Sequence, residues 1–302
     1  MFVVNGSDSR SISIIVPIFN CETYVLQTID SLLRQESVTV KLILVNDGST
    51  DRSYDLIKNL EASSNIQVIN LKQNLGESAA INHGWELCNT EYVSIVSADD
   101  PQQSNWLKEM FNHIEANPGY IFYYPDVIVI DSRDRVIGSI NPKEYSIELL
   151  REKFMCLPSA GTIINKQQLT KGFRPRIDSV IHPSDLVQWL TISKYGLGNK
   201  VPARLGTWRL HTESLSFQDL FQRATQFRNG IALWALTEGI SLNHSQKLHL
   251  LGHQLLILRS EKFSKKVSFA IRNFSDLLIM LHPKSYLPLF KFISKQIRRG
   301  KS

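Results

Sequence analysis

Four polar clusters punctuate the first hundred residues, each directly after an apolar run: Asn20 and Glu22, Asn46 and Asp47, Asn74 and Glu77, Asp99 and Asp100. The last cluster carries the sharpest chemistry. Ala98-Asp99-Asp100 closes the run Tyr92 to Val96 and is followed by Pro101. Two carboxylates at a strand end are poor core material, because a buried unpaired charge is costly. They are well suited to holding a hard divalent cation against phosphate oxygens. Asp and Pro are also ordinary turn residues, so a solvated turn is the alternative for this cluster taken alone.

The elements that must position these clusters are legible as alternating runs. Ser11 to Val16 reads as a buried strand ending at Pro17, and Val25, Ile29, Leu32 and Leu33 fall at helical spacing within 23–35. Val40 to Val45 reads as a second strand, stopped by Asn46-Asp47-Gly48-Ser49. A helix follows, with Asp51 or Ser53 as its cap and Tyr54, Ile57 and Leu60 on one face. Ile66 to Leu71 is a third strand, 78–88 a helix, and Tyr92 to Val96 the fourth strand. Strands alternating with helices imply an α/β fold with a mostly parallel sheet and right-handed crossovers. In such a sheet the strand carboxyl ends share one side, so the four clusters converge on one crevice, the usual ligand position. Neither GxGxxG nor GxxxxGK[ST] occurs, which argues against a dinucleotide site and a P-loop.

Composition sets the outer limits. The chain has 302 residues, 43% hydrophobic and 21% charged, an ordinary globular balance. Cys21, Cys88 and Cys156 form no metal or CxxC spacing, which suits a reducing compartment. The polar start, relieved only by Phe2, Val3 and Val4, does not read as a signal peptide, and no apolar run is long enough to span a bilayer. The net charge of +6 is unevenly spread: residues 241–302 hold 12 Lys+Arg against 2 Asp+Glu, leaving the rest of the chain net acidic. An anionic partner surface is expected for that basic end.

The motifs together resemble the inverting family 2 glycosyltransferases, whose nucleotide-sugar domain has the GT-A fold. Ser13 to Asn20 is similar to the family's opening strand and loop, and Leu44 to Asp51 to its second motif. Asn74-Leu75-Gly76 through Asn82-His83-Gly84 resembles the third, and Val96-Ser97-Ala98-Asp99-Asp100 the metal-binding DxD strand end. The resemblance runs over about 11–216. It implies that Asp47 accepts a hydrogen bond from the base, expected to be uracil, in a pocket shaped by Pro17 and Phe19. Asn20, Glu22, Asn74, Gly76 and Asn82 complete that nucleotide-sugar site. Asp99 would bind Mg²⁺ or Mn²⁺ bridging the diphosphate, with Asp100 supporting the metal or the sugar.

The second half supplies further matching positions. Pro158 to Ile164 resembles the segment leading into the acceptor region, and Ser184-Asp185-Leu186 the ED motif at a helix start. Asp185 matches the general base that deprotonates the acceptor hydroxyl, a role that needs one carboxylate opposite the leaving group. Trp208-Arg209-Leu210-His211 resembles the closing R-x-H segment, making His211 a metal or diphosphate ligand and Arg209 a phosphate contact. Trp106, Trp189 and Trp208 read as core or pocket wall. Three positions depart from the pattern. Ser97 stands where the family has the first Asp of DxD, and can bond ribose or a metal-bound water but brings no charge. Ile81 replaces an Arg, with Lys72 the candidate substitute, and Ser184 replaces a Glu.

Three parts are expected: a disordered start over 1–10, a GT-A domain over 11–216 and a basic helical C-terminal extension over 217–302. In the extension Leu248, Leu251, Leu255 and Leu258 form one stripe, and Val267, Ile271, Phe274, Leu278 and Leu281 another. Tyr286, Phe290, Ile293 and Ile297 form a third, with Lys284, Lys291, Lys295 and Arg298 mostly off that face, the pattern of a helix lying on an anionic membrane. No recognised module speaks for nucleic acid. The expected partners are therefore a nucleotide-sugar donor, a glycan or lipid-linked acceptor, and the inner face of the cell membrane, with a cytoplasmic, peripheral location. A nucleotidyltransferase and a catalytically impaired nucleotide-sugar-binding protein are the alternatives.

Overall fold

The computed structural model describes residues 10–155, 157, 160–177, 184–211 and 220–257. The start of the chain, the second and third apolar stripes of the extension and the proposed membrane helix lie outside the described residues. Two compact units emerge, one within Met1–Tyr145 and Leu157–Thr212, the other within Ser146–Cys156 and Glu213–Ser302.

The first unit is built on one eight-stranded mixed sheet. Its parallel half holds β1 (Ser11–Ile18), β2 (Thr39–Asp47), β3 (Ile66–Leu71) and β4 (Tyr92–Ile95), ordered β3-β2-β1-β4. β1 sits centrally, pairing Ser11–Ile18 with Thr39–Asn46 on one side and Ile12–Ile15 with Tyr92–Ile95 on the other. Its near-continuous apolar run follows from that position, since both faces are covered. Helices α1 (Val25–Leu33), α2 (Ser53–Ile57) and α3 (Glu77–Leu87) make the crossovers, and α4 (Trp106–Ala116) follows β4. α1 buries Val25, Ile29 and Leu32 as its spacing requires. Gly84 lets α3 lie close on the sheet, because a Cβ there would come within 2.6 Å of the Ile15 side chain.

The sheet then turns antiparallel. β4 pairs with β7 (Ile163–Asn165), β7 with the start of β5 (Phe122–Ile130), and β5 with β6 (Val136–Ile140). β8 (Gly198–Arg209) runs parallel to β5 on its other edge, with register shifts near Pro125 and Asp126. This second half delivers the end of β8 to the β4 end and the start of α6 (Ser184–Ile192) to the start of α3. Trp106 and Trp189 are fully buried: one donates to the Gly161 carbonyl, the other stacks on Phe122. Arg10, the first described residue, is fixed to α4 through Glu115 and Asn112.

The second unit contains α5 (Ile147–Lys153), α7 (Leu220–Thr237) and α8 (His244–Ile257). Leu248 and Leu251 of the first extension stripe are buried. The extension does not pack alone: His253 Nε2 donates to the Lys153 carbonyl, joining α8 to a segment some hundred residues earlier. Burial holds the His253 pKa below its usual value. Among the described residues no helix is long and apolar enough to cross a membrane.

Candidate active site

The strand-end loops are first fastened to one another. After β1 the chain enters a left-handed turn at Asn20, whose Oδ1 accepts the Thr50 amide at 2.8 Å. Glu22 Oε2 accepts the Arg52 amide at 2.9 Å, and Asp51 Oδ2 returns the favour to the Glu22 amide at 3.0 Å. Asn20 and Glu22 thus bind the β2–α2 loop with their side chains. Phe19 is left 45% exposed beside them, and Pro17 is half-buried.

Asp47 ties its strand end to the next loop. It is 2% exposed, and its two oxygens accept the Leu75 and Gly76 amides at 2.7 and 2.9 Å. The carboxylate faces the loop that opens α3. Asn74 Oδ1 also accepts the Gly76 amide, and Gly76 takes φ +91° at the helix start. Gly48 completes the junction with φ +64°, where a Cβ would fall 2.5 Å from the Gln73 backbone. Asn82 is buried and clamps the Arg176 backbone in both directions, at 3.0 and 3.2 Å. Ile81 is fully buried, and Lys72 is exposed at the end of β3.

At the end of β4 the two aspartates separate in role. Asp99 Oδ2 meets His211 Nε2 at 2.8 Å, and the His211 ring lies 5.2 Å from Tyr24. Asp100 points inward and accepts the Arg209 amide at 2.6 Å. Burial, reinforced by the Asp99 charge, pushes its pKa well above the carboxylate range. Ser97 is half-buried, and its carbonyl accepts the Asp100 amide.

Arg209 is buried at the end of β8. Its guanidinium is 0% exposed and donates to the Asp99 and Asp131 carbonyls, Gln27 Oε1 and Asp134 Oδ1. Its face lies 4.5 Å from the Tyr24 ring. With most of its donors on internal acceptors, it braces the β4 end. A near-complete set of internal acceptors is what a buried guanidinium requires.

Asp185 opens α6 and remains 43% exposed, with Oδ1 held by Arg176 Nη1 at 2.9 Å. The Ser184 hydroxyl lies 3.4 Å from Asp185 Oδ1 and 3.5 Å from Glu77 Oε2. Glu77 feels the charges of Arg176, Asp185 and Asp99, and burial foremost raises its pKa. The Ser184–Glu77 contact sets the start of α6 against the start of α3, the helix that follows the β3 end. Arg176, Tyr24, Gln27 and Asp134 were not legible as site residues. Arg176 in particular lies in a stretch without periodicity, where only contact in space gives it a role.

A metal is compatible with this donor set. Among the described residues no group of three His, Cys, Asp or Glu side chains could cage an ion. Asp99 and His211 offer an oxygen and a nitrogen, with the Ser97 hydroxyl two residues before Asp99. Mg²⁺ and Mn²⁺ commonly take one or two protein ligands and complete their shell with water and substrate phosphate.

A model of the protein family described as Glycosyl transferase family 2 matches residues 13–171, more than half of the chain. The chain belongs to glycosyl transferase family 2. This family 2 chain is 26% identical over 211 residues to an uncharacterized glycosyltransferase of Rickettsia bellii, covering 69% of this chain and 30% of that one. It is 31% identical over 176 residues to glycosyltransferase GlyA of Streptococcus pneumoniae, covering 54% and 25%. It therefore spans about a third or less of these relatives' length. TuaG of Bacillus subtilis, provisionally assigned by name to teichuronic acid biosynthesis, is 26% identical over 61% of this chain and 73% of its own. Among solved structures, Staphylococcus aureus TarS 1–349 in complex with UDP-GlcNAc superposes with a TM-score of 0.63 at 17% identity, over 88% of this chain and 78% of that one. At that identity the likeness speaks for the GT-A fold.

Proposed function

We propose that this protein transfers a sugar, with inversion, from a nucleoside-diphosphate sugar, UDP-linked, to a hydroxyl of a glycan or lipid-linked acceptor. One observation carries the reading. A half-exposed carboxylate, Asp185, opens α6 and is tied through Ser184 to Glu77 at the start of α3, while Asp99 meets His211 at the end of β4. Inverting transfer calls for a base and a separate diphosphate-binding side, the roles these two groups would take.

In this reading Asp185 takes the proton of the acceptor hydroxyl through an oxygen open to the crevice. The acceptor oxygen forms its bond to the anomeric carbon as the bond from that carbon to the diphosphate oxygen breaks on the opposite face. Asp99 and His211, with Ser97 nearby, would hold Mg²⁺ or Mn²⁺, which supplies Lewis-acid charge to the departing diphosphate. Phe19 and Pro17 offer the apolar edge for the base, while Asn20, Glu22, Asp47, Asn74 and Asn82 keep the surrounding loops in place.

The test is a panel of UDP-, GDP- and dTDP-sugars with Mn²⁺, following released nucleotide. Release from a UDP-sugar that disappears with EDTA supports the proposal. Binding of UDP without release from any donor would instead favour a binding protein, a reading to which the uncharged Ser97 lends weight. The name of TuaG and the basic C-terminal end support an acceptor in bacterial surface polysaccharide or lipopolysaccharide assembly, reached at the inner face of the membrane. If a chain lacking residues 284–302 sediments with anionic vesicles as well as the full chain does, the membrane part fails.

A further inference from the structure

Arg176 is buried to 2% exposure, yet its side chain uses little of its donor capacity. Nη1 donates to Asp185 Oδ1 at 2.9 Å, while Nε is buried with no partner. A guanidinium kept for stability alone would be expected to saturate its donors, since an unsatisfied buried N–H is costly. Its main chain, by contrast, is fully committed. The Arg176 amide donates to Asn82 Oδ1 and its carbonyl accepts from Asn82 Nδ2, so the residue is riveted to α3. One residue therefore joins the helix that opens at the donor-side loops to the helix that carries Asp185.

The bond is also directional. Arg176 Nη1 addresses one oxygen of Asp185, Oδ1, and the Ser184 hydroxyl stands 3.4 Å from that same oxygen. A 43% exposed carboxylate in the first turn of a helix would otherwise rotate among several orientations. Anchoring Oδ1 directs Oδ2 away from the protein donors. Glu77 feels the Arg176 charge, which offsets part of the repulsion between the Glu77 and Asp185 carboxylates.

We propose that Arg176 is a positioning residue for the transfer step: its guanidinium, anchored through Asn82, holds Asp185 Oδ1 so that Oδ2 meets the acceptor hydroxyl. The inference rests on the reading of Asp185 as the base. It assigns to Arg176 an effect on turnover rather than on nucleotide binding.

The experiment uses the full chain with a UDP-sugar and Mn²⁺, water serving as the acceptor. It measures the kcat for UDP release and, separately, the Kd for UDP by calorimetry. Arg176→Met should lower kcat about tenfold or more with the UDP Kd within about twofold, and Arg176→Lys should recover part of the loss. The double variant Arg176→Met with Asp185→Asn should be no slower than Asp185→Asn alone, because the arginine acts through the aspartate. A merely structural role would instead add its loss to that of Asp185→Asn. If Arg176→Met does not fold, Arg176→Gln keeps a hydrogen-bonding side chain without the charge and should show the same fall in kcat at unchanged Kd. The inference is overturned if these variants keep wild-type kcat, or if the double variant loses both factors. If Asp185→Asn itself releases UDP at the wild-type rate, the base assignment falls and takes the inference with it. Wild-type and Asp185→Asn rates alone decide that outcome.

Discussion

Two buried arginines bracket the crevice, and they are employed in opposite ways. Arg209 fills its donors with two backbone carbonyls, an amide oxygen and a carboxylate, and packs its face on Tyr24. Arg176 spends one side-chain donor, on an exposed carboxylate, and leaves Nε buried without a partner. The difference teaches how to tell a brace from a tool among buried charges. A saturated guanidinium tied to main-chain acceptors fixes backbone, while an unsaturated one tied to a half-exposed side chain aims that side chain.

That contrast can be broken experimentally, and the largest effect should come from the brace. Arg209→Met strands several buried acceptors at once and should cost about 3 kcal/mol of unfolding free energy by urea titration. Nucleotide binding and turnover should fall together. The thiol of Cys21, pushed up to about 12 foremost by burial, provides a second readout. It should resist iodoacetamide at pH 8 in the wild type and react faster once the brace is gone.

Asp185→Asn should come next, lowering UDP release by about a hundredfold or more with stability and UDP affinity little changed. Arg176→Met should follow at about tenfold, again in turnover. The smallest effect belongs to Tyr24→Leu, which removes the ring beneath Arg209 and should cost about 1 kcal/mol of stability. A Tyr24→Leu variant that lost turnover at wild-type stability would show that Arg209, too, serves the reaction directly.

A pH effect on stability is expected in the second unit. His253 is buried and its folded pKa lies below the unfolded value, so the folded state binds fewer protons. Its contribution is therefore complete above the unfolded pKa and declines as pH falls from there toward the folded pKa. Thermal midpoints from pH 8 to pH 5 should fall more steeply for the wild type than for His253→Gln.

The parallel half of the fold was legible because its signals are local. Apolar runs such as Ile12 to Val16 end at turn residues, and helices recur between them, so strand ends and their polar clusters could be placed together. The antiparallel half was not, since β5, β7 and β8 are assembled from distant segments with no shared period. Motif context singles out Asp99, His211 and Asp185, and the structure sets Asp99 against His211 and Asp185 at the start of α6. Their neighbours were less legible: the sequence offers no sign that Arg209 is buried among Gln27, Asp131 and Asp134. Glu77 appeared only as one more polar residue after a strand, and its relation to Ser184, over a hundred positions away, exists only in three dimensions.

The Asp47 clasp on Leu75 and Gly76 has a practical consequence for altering donor preference. Each oxygen of that carboxylate grips a different amide of the next loop, and Gly48 presses on Gln73 beside it. The segments after β2 and β3 therefore form a single cassette. A graft of either segment must keep the carboxylate at 47 and the backbone path of 73–76, and exchanging 46–51 together with 72–77 keeps the two halves matched.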